Sequence, residues 1–207
     1  DKKEDNEYED KDIKGIDTYS EELNISGQSG TLKYNIEEVV LKKLTPKTEE
    51  AADLLSVSVG EEVNLITIFM NGENTSTEDM SFYLGQATII TNTKEQLEPD
   101  MILSEHIEGD YLGQVKQEGY NVYVLKNSKV EDLKNIEIRI NAPINSKMED
   151  QGENIIQKFI NSNQIEVIPI NTSSFSEIPI LPTSISGTLC IAPSELYEGF
   201  FVAKLRK

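Results

Sequence analysis

The chain has 207 residues, with 37 acidic and 19 basic side chains and a formal net charge of −18 at pH 7. Lysine and arginine dominate phosphate binding, so this balance excludes nucleic acid as an expected partner. Apolar residues make up 37% of the chain, enough for one hydrophobic core. No apolar run approaches the ~20 residues of a membrane-spanning helix. Cys190 is the single cysteine, and its apolar neighbours favour a buried thiol over a nucleophile.

Residues 1–24 carry few apolar side chains, too few to offset the entropy of ordering them. The chain also begins on Asp, so we expect that a leader segment has been removed. We therefore predict a polar acidic tether over residues 1–24 and a folded domain over residues 25–207. A polar spacer in front of a domain is typical of a module that is attached to a surface through its N-terminus and kept at a distance from that surface.

The first predicted strand covers residues 32–36, where apolar and polar side chains alternate. The apolar residues have even numbers up to Ile36, whereas Val39 and Leu41 have odd numbers. One extra residue at Glu37–Glu38 would cause this change, which indicates a β-bulge. Residues 48–57 are typical either of a short helix capped by Thr48 or of a loop.

Residues 63–70 are apolar on both faces and predict a central strand between two layers. The polar cluster at residues 71–79 predicts the turn that ends this strand. Further strands are predicted within residues 80–91 and over residues 120–125 and 136–140. The last of these alternates cleanly and should show one face to water.

One amphipathic helix is predicted at about residues 146–161. Ser146 and Glu149 have the spacing of a capping box, and an apolar stripe at helical spacing follows, formed by Met148, Ile155, Ile156, Phe159 and Ile160. Further strands are expected within residues 165–170, 185–192 and 200–205. Because a parallel sheet would need a crossover helix between most strands, we predict an all-β antiparallel sandwich with one embedded helix.

His106 is the single histidine, and it lies in an acidic segment. If this segment is extended, His106, Glu108 and Asp110 share a face and could hold a divalent cation. Carboxylates are so frequent here that chance also produces this spacing, and a solvated loop is the favoured interpretation. We find no nucleophile elbow and no phosphate-binding loop, so we predict no catalytic residue and no cofactor. Sugar clefts usually rely on aromatic platforms. The chain has no tryptophan, and only partial substitutes are present: Tyr8, Tyr19, Tyr83, Tyr111, Tyr120, Tyr123 and Tyr197.

Five short motifs occur in an order that resembles one family. They are GTLKY at 30–34, GEEV at 60–63, NGEN at 71–74, SFYL at 81–84 and GYNVY at 119–123. This order resembles the immunoglobulin-like extracellular domains of Bacillus-type Gram-positive lipoproteins, which are families of unknown function. The resemblance covers about residues 30–143, so residues 144–207 would form a C-terminal extension.

The resemblance implies a secreted precursor with a signal peptide and a mature N-terminal cysteine that carries palmitate-type acyl chains. It places the protein on the extracellular face of the membrane and brings no catalytic residues. No cysteine precedes Asp1 in this sequence, so the anchor is implied by the resemblance alone.

Three functional hypotheses follow. The first is a surface-tethered module that binds a protein or an envelope component without turnover. The alternative is an envelope enzyme whose carboxylates or metal ligands meet across strands. A third hypothesis treats residues 178–181 with Phe200 and Phe201 as an exposed docking surface, although burial of these residues in the core is favoured.

Overall fold

The computed structural model describes residues 6–160 and the backbone of five short strands beyond them, at residues 166–167, 180–181, 189–191, 200–202 and 205–206. Side chains are described from residue 6 to residue 158. Contacts between Cα atoms divide the chain into two units, Asp1–Phe159 and Ile160–Lys207. The expected burial of Cys190 and the expected placement of residues 178–181, Phe200 and Phe201 lie outside the described side chains.

The described residues of the first unit form twelve strands and one α-helix. In chain order these are β1 (Asn6–Glu9), β2 (Ile13–Ser29), β3 (Leu32–Pro46), α1 (Glu49–Leu55), β4 (Val63–Asn74), β5 (Met80–Ser81), β6 (Thr88–Thr91), β7 (Gln96–Leu97), β8 (Asp110–Tyr111), β9 (Lys116–Val124), β10 (Asn135–Ile140), β11 (Ile144–Asn145) and β12 (Ile155–Ile160). Single 3₁₀ turns lie at Leu84–Gln86 and Val130–Asp132.

Three sheets organise the first unit. The long strands form a five-stranded antiparallel sheet in the order β1-β2-β3-β4-β9. A four-stranded sheet has the order β12-β10-β6-β7, and a small sheet has the order β11-β5-β8. The main core joins the first two sheets, and it includes Ile36 and Ile68 of the long sheet with Ile89 and Ile138 of the shorter one. The predicted all-β antiparallel, sandwich-like architecture is confirmed.

The second unit holds the remaining described strands. These are β13 (Glu166–Val167), β14 (Ile180–Leu181), β15 (Leu189–Ile191), β16 (Phe200–Val202) and β17 (Leu205–Arg206). Strand β13 pairs with β17, and β14, β15 and β16 form a separate antiparallel sheet in that order.

Two local predictions in the long sheet are confirmed, and the choice left open at residues 48–57 between a helix and a loop is decided for a helix. The register between β3 and β4 shifts between Ile36 and Glu38, so Glu37 is the extra residue of the bulge. Strand β4 lies between β3 and β9 and is largely buried on both faces. Helix α1 begins after Thr48, whose side-chain oxygen accepts a hydrogen bond from the amide of Ala51 at 3.3 Å. Strand β4 nevertheless continues to Asn74, so the turn predicted from residue 71 begins later.

The unstructured tether predicted over residues 1–24 is wrong for residues 6–24, which contain β1 and most of β2. Strand β2 pairs with β3 along almost its whole length. This backbone pairing replaces the apolar burial that the composition lacks. Tyr19, Leu23 and Ile25 supply partial packing against the main core. Composition alone therefore underestimates order in a strand that needs to cover only one face.

The helix predicted over about residues 146–161 is also wrong. The Asn145 side chain accepts hydrogen bonds from the amides of Lys147 (2.9 Å) and Glu149 (3.0 Å), which folds a turn there. Met148 has a φ of 62°, in the left-handed region that a right-handed helix excludes. Strand β12 follows, with Ile155 buried and Ile156 exposed, as the period of a strand requires.

Candidate binding site around Tyr83

Tyr83 projects from the segment that joins the small sheet to the four-stranded sheet. The neighbouring Phe82 and Leu84 are fully buried, whereas Tyr83 is 38% exposed. The amide of Phe82 donates to the carbonyl of Gly109 at 2.7 Å, and a 3₁₀ turn follows at Leu84–Gln86. Because the apolar side chains on both sides point into the core, the ring of Tyr83 is directed outward.

Two buried side chains of β9 hold this turn in place. The Asn121 amide donates to the carbonyl of Leu84 at 2.9 Å and to the Tyr123 hydroxyl at 3.1 Å. The Tyr123 hydroxyl in turn donates to the carbonyl of Ala87 at 2.8 Å. Burial raises the pKa of Tyr123, so this phenol keeps its proton and remains a donor. The position of Tyr83 and Gln86 therefore depends on polar groups inside the core.

One depression beside Tyr83, which we name the Arg139 pocket, lies on the outer face of the four-stranded sheet. Its floor follows from the register: Arg139 of β10 lies opposite Thr88 of β6, and Ile90 of β6 lies opposite Gln96 of β7. Tyr83, Gln86 and Asn141 complete the wall of the pocket, which has a volume of about 200 Å³.

The polar side chains of the Arg139 pocket are available to a ligand. Within the described part of the chain, the side chains of Gln86, Thr88, Gln96 and Asn141 make no hydrogen bond to another residue. Arg139 donates from Nε (2.8 Å) and Nη2 (2.7 Å) to one carboxylate oxygen of Glu137. The pocket thus presents amides and a hydroxyl around a cation that a neighbouring carboxylate partly neutralises.

Tyr83 also lines a second depression, which we name the His106 pocket. Its volume is about 180 Å³, and Tyr83 and Gln86 line it together with Met101, His106, Glu108 and Asp110. Since both pockets share Tyr83 and Gln86, they adjoin. The residues of the predicted cation site all line this second pocket.

The structure brings only part of the predicted cation site together. His106 Nε2 lies 3.4 Å from a Glu108 carboxylate oxygen. The Asp110 carboxylate accepts a hydrogen bond from the Ser81 hydroxyl at 2.8 Å, so it is engaged with β5. Among the described residues, no group of three or more His, Cys, Asp or Glu side chains is placed to hold a metal ion.

No family model matches this chain. It is 24% identical over 151 residues to the SPbeta prophage-derived uncharacterized lipoprotein YonS of Bacillus subtilis (strain 168), in an alignment that covers 72% of this chain and 74% of that protein. The expected likeness to a Bacillus lipoprotein of unknown function is thereby supported. The immunoglobulin-like assignment remains a prediction.

Of two matched crystal structures, one has a TM-score above 0.5 and shares the fold. A functionally unknown protein from Listeria monocytogenes EGD-e matches with a TM-score of 0.54 and 12% identity, covering 70% of this chain and 87% of that one. A conserved hypothetical protein from Bacillus anthracis gives a TM-score of 0.40 and 10% identity, covering 68% of this chain and 96% of that one. The Listeria structure shows that the fold recurs in a second protein of unknown function.

The described helix is too short and too polar to cross a membrane.

Sequence reasoning did not find the Arg139 pocket. Its residues come from three strands, the 3₁₀ turn and positions directly beside these elements, and the register of the strands brings them together. One signal was present: the alternation over residues 136–140 already placed Glu137 and Arg139 on the outward face. The amides of Gln86 and Gln96 carried no comparable signal, since polar residues near turns are common.

Proposed function

We propose that this protein is a lipid-anchored module on the extracellular face of the membrane, and that it binds an envelope component or another protein without turnover. The observation that carries the proposal is its likeness to the YonS lipoprotein, which extends over 74% of that protein. The likeness includes most of the folded chain and not a short motif.

A lipid anchor would hold the module through an N-terminal cysteine that becomes the first residue after a signal peptide is removed. One acyl chain gives only marginal membrane binding, so we expect a diacyl modification. Strand β1 begins at Asn6, so the ordered sheet lies near the start of the given sequence and not behind a 24-residue spacer.

The binding role is supported by the chemistry around Tyr83. One exposed aromatic ring lines two adjoining pockets, and polar side chains without hydrogen-bond partners in the described part of the chain line one of them. The two carboxylates of the His106 pocket are already engaged, Glu108 with His106 and Asp110 with Ser81. This arrangement is suited to recognition, and it offers no group poised as a nucleophile.

The test of the anchor is fractionation and intact-mass measurement of the native full-length protein from its own cell. We expect the protein in the membrane fraction, with a mass that includes a diacylglyceryl cysteine at its mature N-terminus. Release from membranes by a lipase, with the matching loss of mass, would serve as the control. An unmodified protein in the soluble fraction would overturn the anchored module.

The absence of turnover needs a separate test. Purified protein incubated with isolated cell envelopes should release no soluble fragments above the level of a heat-denatured sample. Steady release of sugar or peptide fragments would overturn the non-catalytic role and favour an envelope enzyme.

A further inference from the structure

We propose that the two pockets beside Tyr83 bind successive units of a neutral, hydroxyl-rich polysaccharide. This inference rests on the proposed binding role and names the ligand class for the same site. Tyr83 and Ile90 would contact the C–H face of a sugar ring, while the polar side chains of the Arg139 pocket would bind its hydroxyl groups.

The hydrogen-bonding groups of the Arg139 pocket match hydroxyls better than ions. Gln86, Gln96 and Asn141 each offer both a donor and an acceptor, and the Thr88 hydroxyl does the same. A sugar hydroxyl also donates and accepts, so one amide can satisfy both roles. An ionic ligand would instead require unpaired charge of the opposite sign, and Arg139 is already bonded to Glu137.

The apolar surface is in the right place for a sugar ring. The Tyr83 ring covers Gly109 so closely that a β-carbon at Gly109 would overlap it. Ile90 is half-buried in the middle of the pocket floor, between Glu137 on β10 and Gln96 on β7. Tyr83 and Ile90 thus offer an apolar surface with amide groups around it. A pyranose has the matching pattern, an apolar C–H face with hydroxyl groups around its edge.

The size of the pockets indicates a polymer rather than a large rigid ligand. Volumes of about 200 Å³ and 180 Å³ are each below the ~300–1,000 Å³ of sites for drug-sized molecules. Each pocket suits one small unit. Since the two adjoin at Tyr83 and Gln86, a ligand with repeated units could occupy both.

The test is a titration of purified protein with chitotetraose and with maltotetraose, followed by amide chemical shifts. We expect one of them to shift the amides of residues around Tyr83, with a Kd no weaker than about 1 mM. Tyr83→Ala and Gln96→Ala should each weaken binding about tenfold or more. Tyr8→Ala, which removes another tyrosine of similar exposure, should leave it unchanged.

Four results would overturn all or part of the inference. The first is no shift at about 10 mM of either tetrasaccharide, well above the expected Kd of about 1 mM. The second is equal loss of binding in Tyr83→Ala and Tyr8→Ala. The third is binding of tetralysine at the same site in preference to both sugars. A tetrasaccharide that binds no tighter than its monosaccharide would overturn the polymeric ligand.

These results are separable from the test of the anchor, because the titration uses soluble protein. An anchored protein that binds neither sugar refutes the ligand class alone. Sugar binding by a protein that is not anchored in its cell leaves the ligand class standing and refutes the anchored module.

Discussion

The five-stranded sheet and the connecting segment, which we define as residues 75–113, are held together by different kinds of interaction. In the sheet, continuous backbone ladders join β2, β3, β4 and β9 over long stretches. The connecting segment has only short strands, and side chains bonded to backbone groups fix much of its path. Asn74, Glu95, Asn121 and Tyr123 make several of these bonds.

The difference matters because the candidate site lies largely on the connecting segment. A ladder spreads its stability over many similar bonds, so one substitution in it has a limited effect. A segment held by a few side chains depends on each of them. We therefore expect single substitutions to affect the connecting segment more than the sheet.

The largest effect is expected for Asn74→Ala, because Asn74 is the last residue of β4 but its side chain holds the connecting segment. The buried Asn74 amide donates to the carbonyls of Glu78 (2.7 Å) and Gly113 (3.0 Å), and its oxygen accepts from the amide of Ser76 (3.0 Å). Truncation leaves these groups without partners, so the free energy of unfolding should fall by about 2–4 kcal/mol. Urea unfolding provides the measurement.

The matched control for this substitution is Asn35→Ala, in β3 of the sheet. The Asn35 oxygen accepts one cross-strand hydrogen bond from the exposed Ser26 hydroxyl. We expect a loss within about 0.5 kcal/mol. Equal losses for the two asparagines would contradict the contrast between sheet and connecting segment.

Glu95→Gln should lower stability by about 2 kcal/mol at neutral pH, because charged hydrogen bonds are stronger than neutral ones. The Glu95 carboxylate accepts hydrogen bonds from the amides of Lys126 (2.9 Å) and Asn127 (3.2 Å) and from the Ser128 hydroxyl. Burial acts to raise the pKa of Glu95, but these hydrogen bonds outweigh burial and leave the pKa below its ordinary value.

The lowered pKa of Glu95 determines how the stability of the protein depends on pH. A carboxyl whose folded-state pKa is depressed contributes its full stability above the unfolded-state pKa of about 4.3, and that stability is lost as pH falls through the folded-state pKa. Thermal melts below pH 5 should therefore show a smaller acid loss for Glu95→Gln than for the wild type. Glu98→Gln, at an exposed neighbour, is the control. If Glu95→Gln loses as much stability below pH 5 as the wild type does, the lowered pKa of Glu95 is contradicted.

Tyr123→Phe should cost about 1–1.5 kcal/mol, since the carbonyl of Ala87 loses its donor and the Asn121 amide loses one acceptor. Tyr120→Phe is a close control on the same strand. Its ring packs against Phe69 at a centroid distance of 5.3 Å, and its hydroxyl makes no hydrogen bond within the described residues. Denaturant unfolding of both variants measures the difference, and equal losses would show that the buried bond contributes little.

The sequence predicted the parts of the fold that depend on the spacing of apolar and capping residues along a short stretch of chain. The change from even to odd apolar positions before Val39 located the bulge at Glu37–Glu38, and Thr48 marked the start of α1 in one of the two alternatives left open there. The two failures have physical causes. Strand β2 is ordered by its partner β3, and the partner is invisible to a count of apolar residues.

The failure at β12 has a different cause. Ile155 and Phe159 are four residues apart, and so are Ile156 and Ile160. A spacing of four fits both the helical and the strand period, so the stripe could not distinguish them. The turn at Asn145 decides between the two, because its side chain binds the amides that would begin a helix.

The candidate site was predictable only in fragments. The His106 segment drew attention because its residues are close in sequence. Arg139, Thr88 and Gln96 are distant in sequence and meet through the pairing of β10 with β6 and of β6 with β7. Register between strands is a tertiary property, so a site built on it cannot be assembled from local pattern.

The smallest effect on stability should come from Gly109→Ala, yet its effect on the site should be specific. The added β-carbon would overlap the Tyr83 ring, and the equivalent change at Gly15 would overlap the Tyr8 ring of β1. Both rings are partly exposed and can rotate away, so each variant should lose less than about 1 kcal/mol.

Tyrosine acetylation mapped by mass spectrometry should then rise at Tyr83 in Gly109→Ala and at Tyr8 in Gly15→Ala. If binding of the tetrasaccharide is weakened in the first variant and unchanged in the second, the position of the Tyr83 ring governs recognition. Unchanged acetylation of Tyr83 in Gly109→Ala would instead mean that the backbone of the connecting segment moves to accommodate the methyl group, and that this segment is less firmly held than its hydrogen bonds indicate.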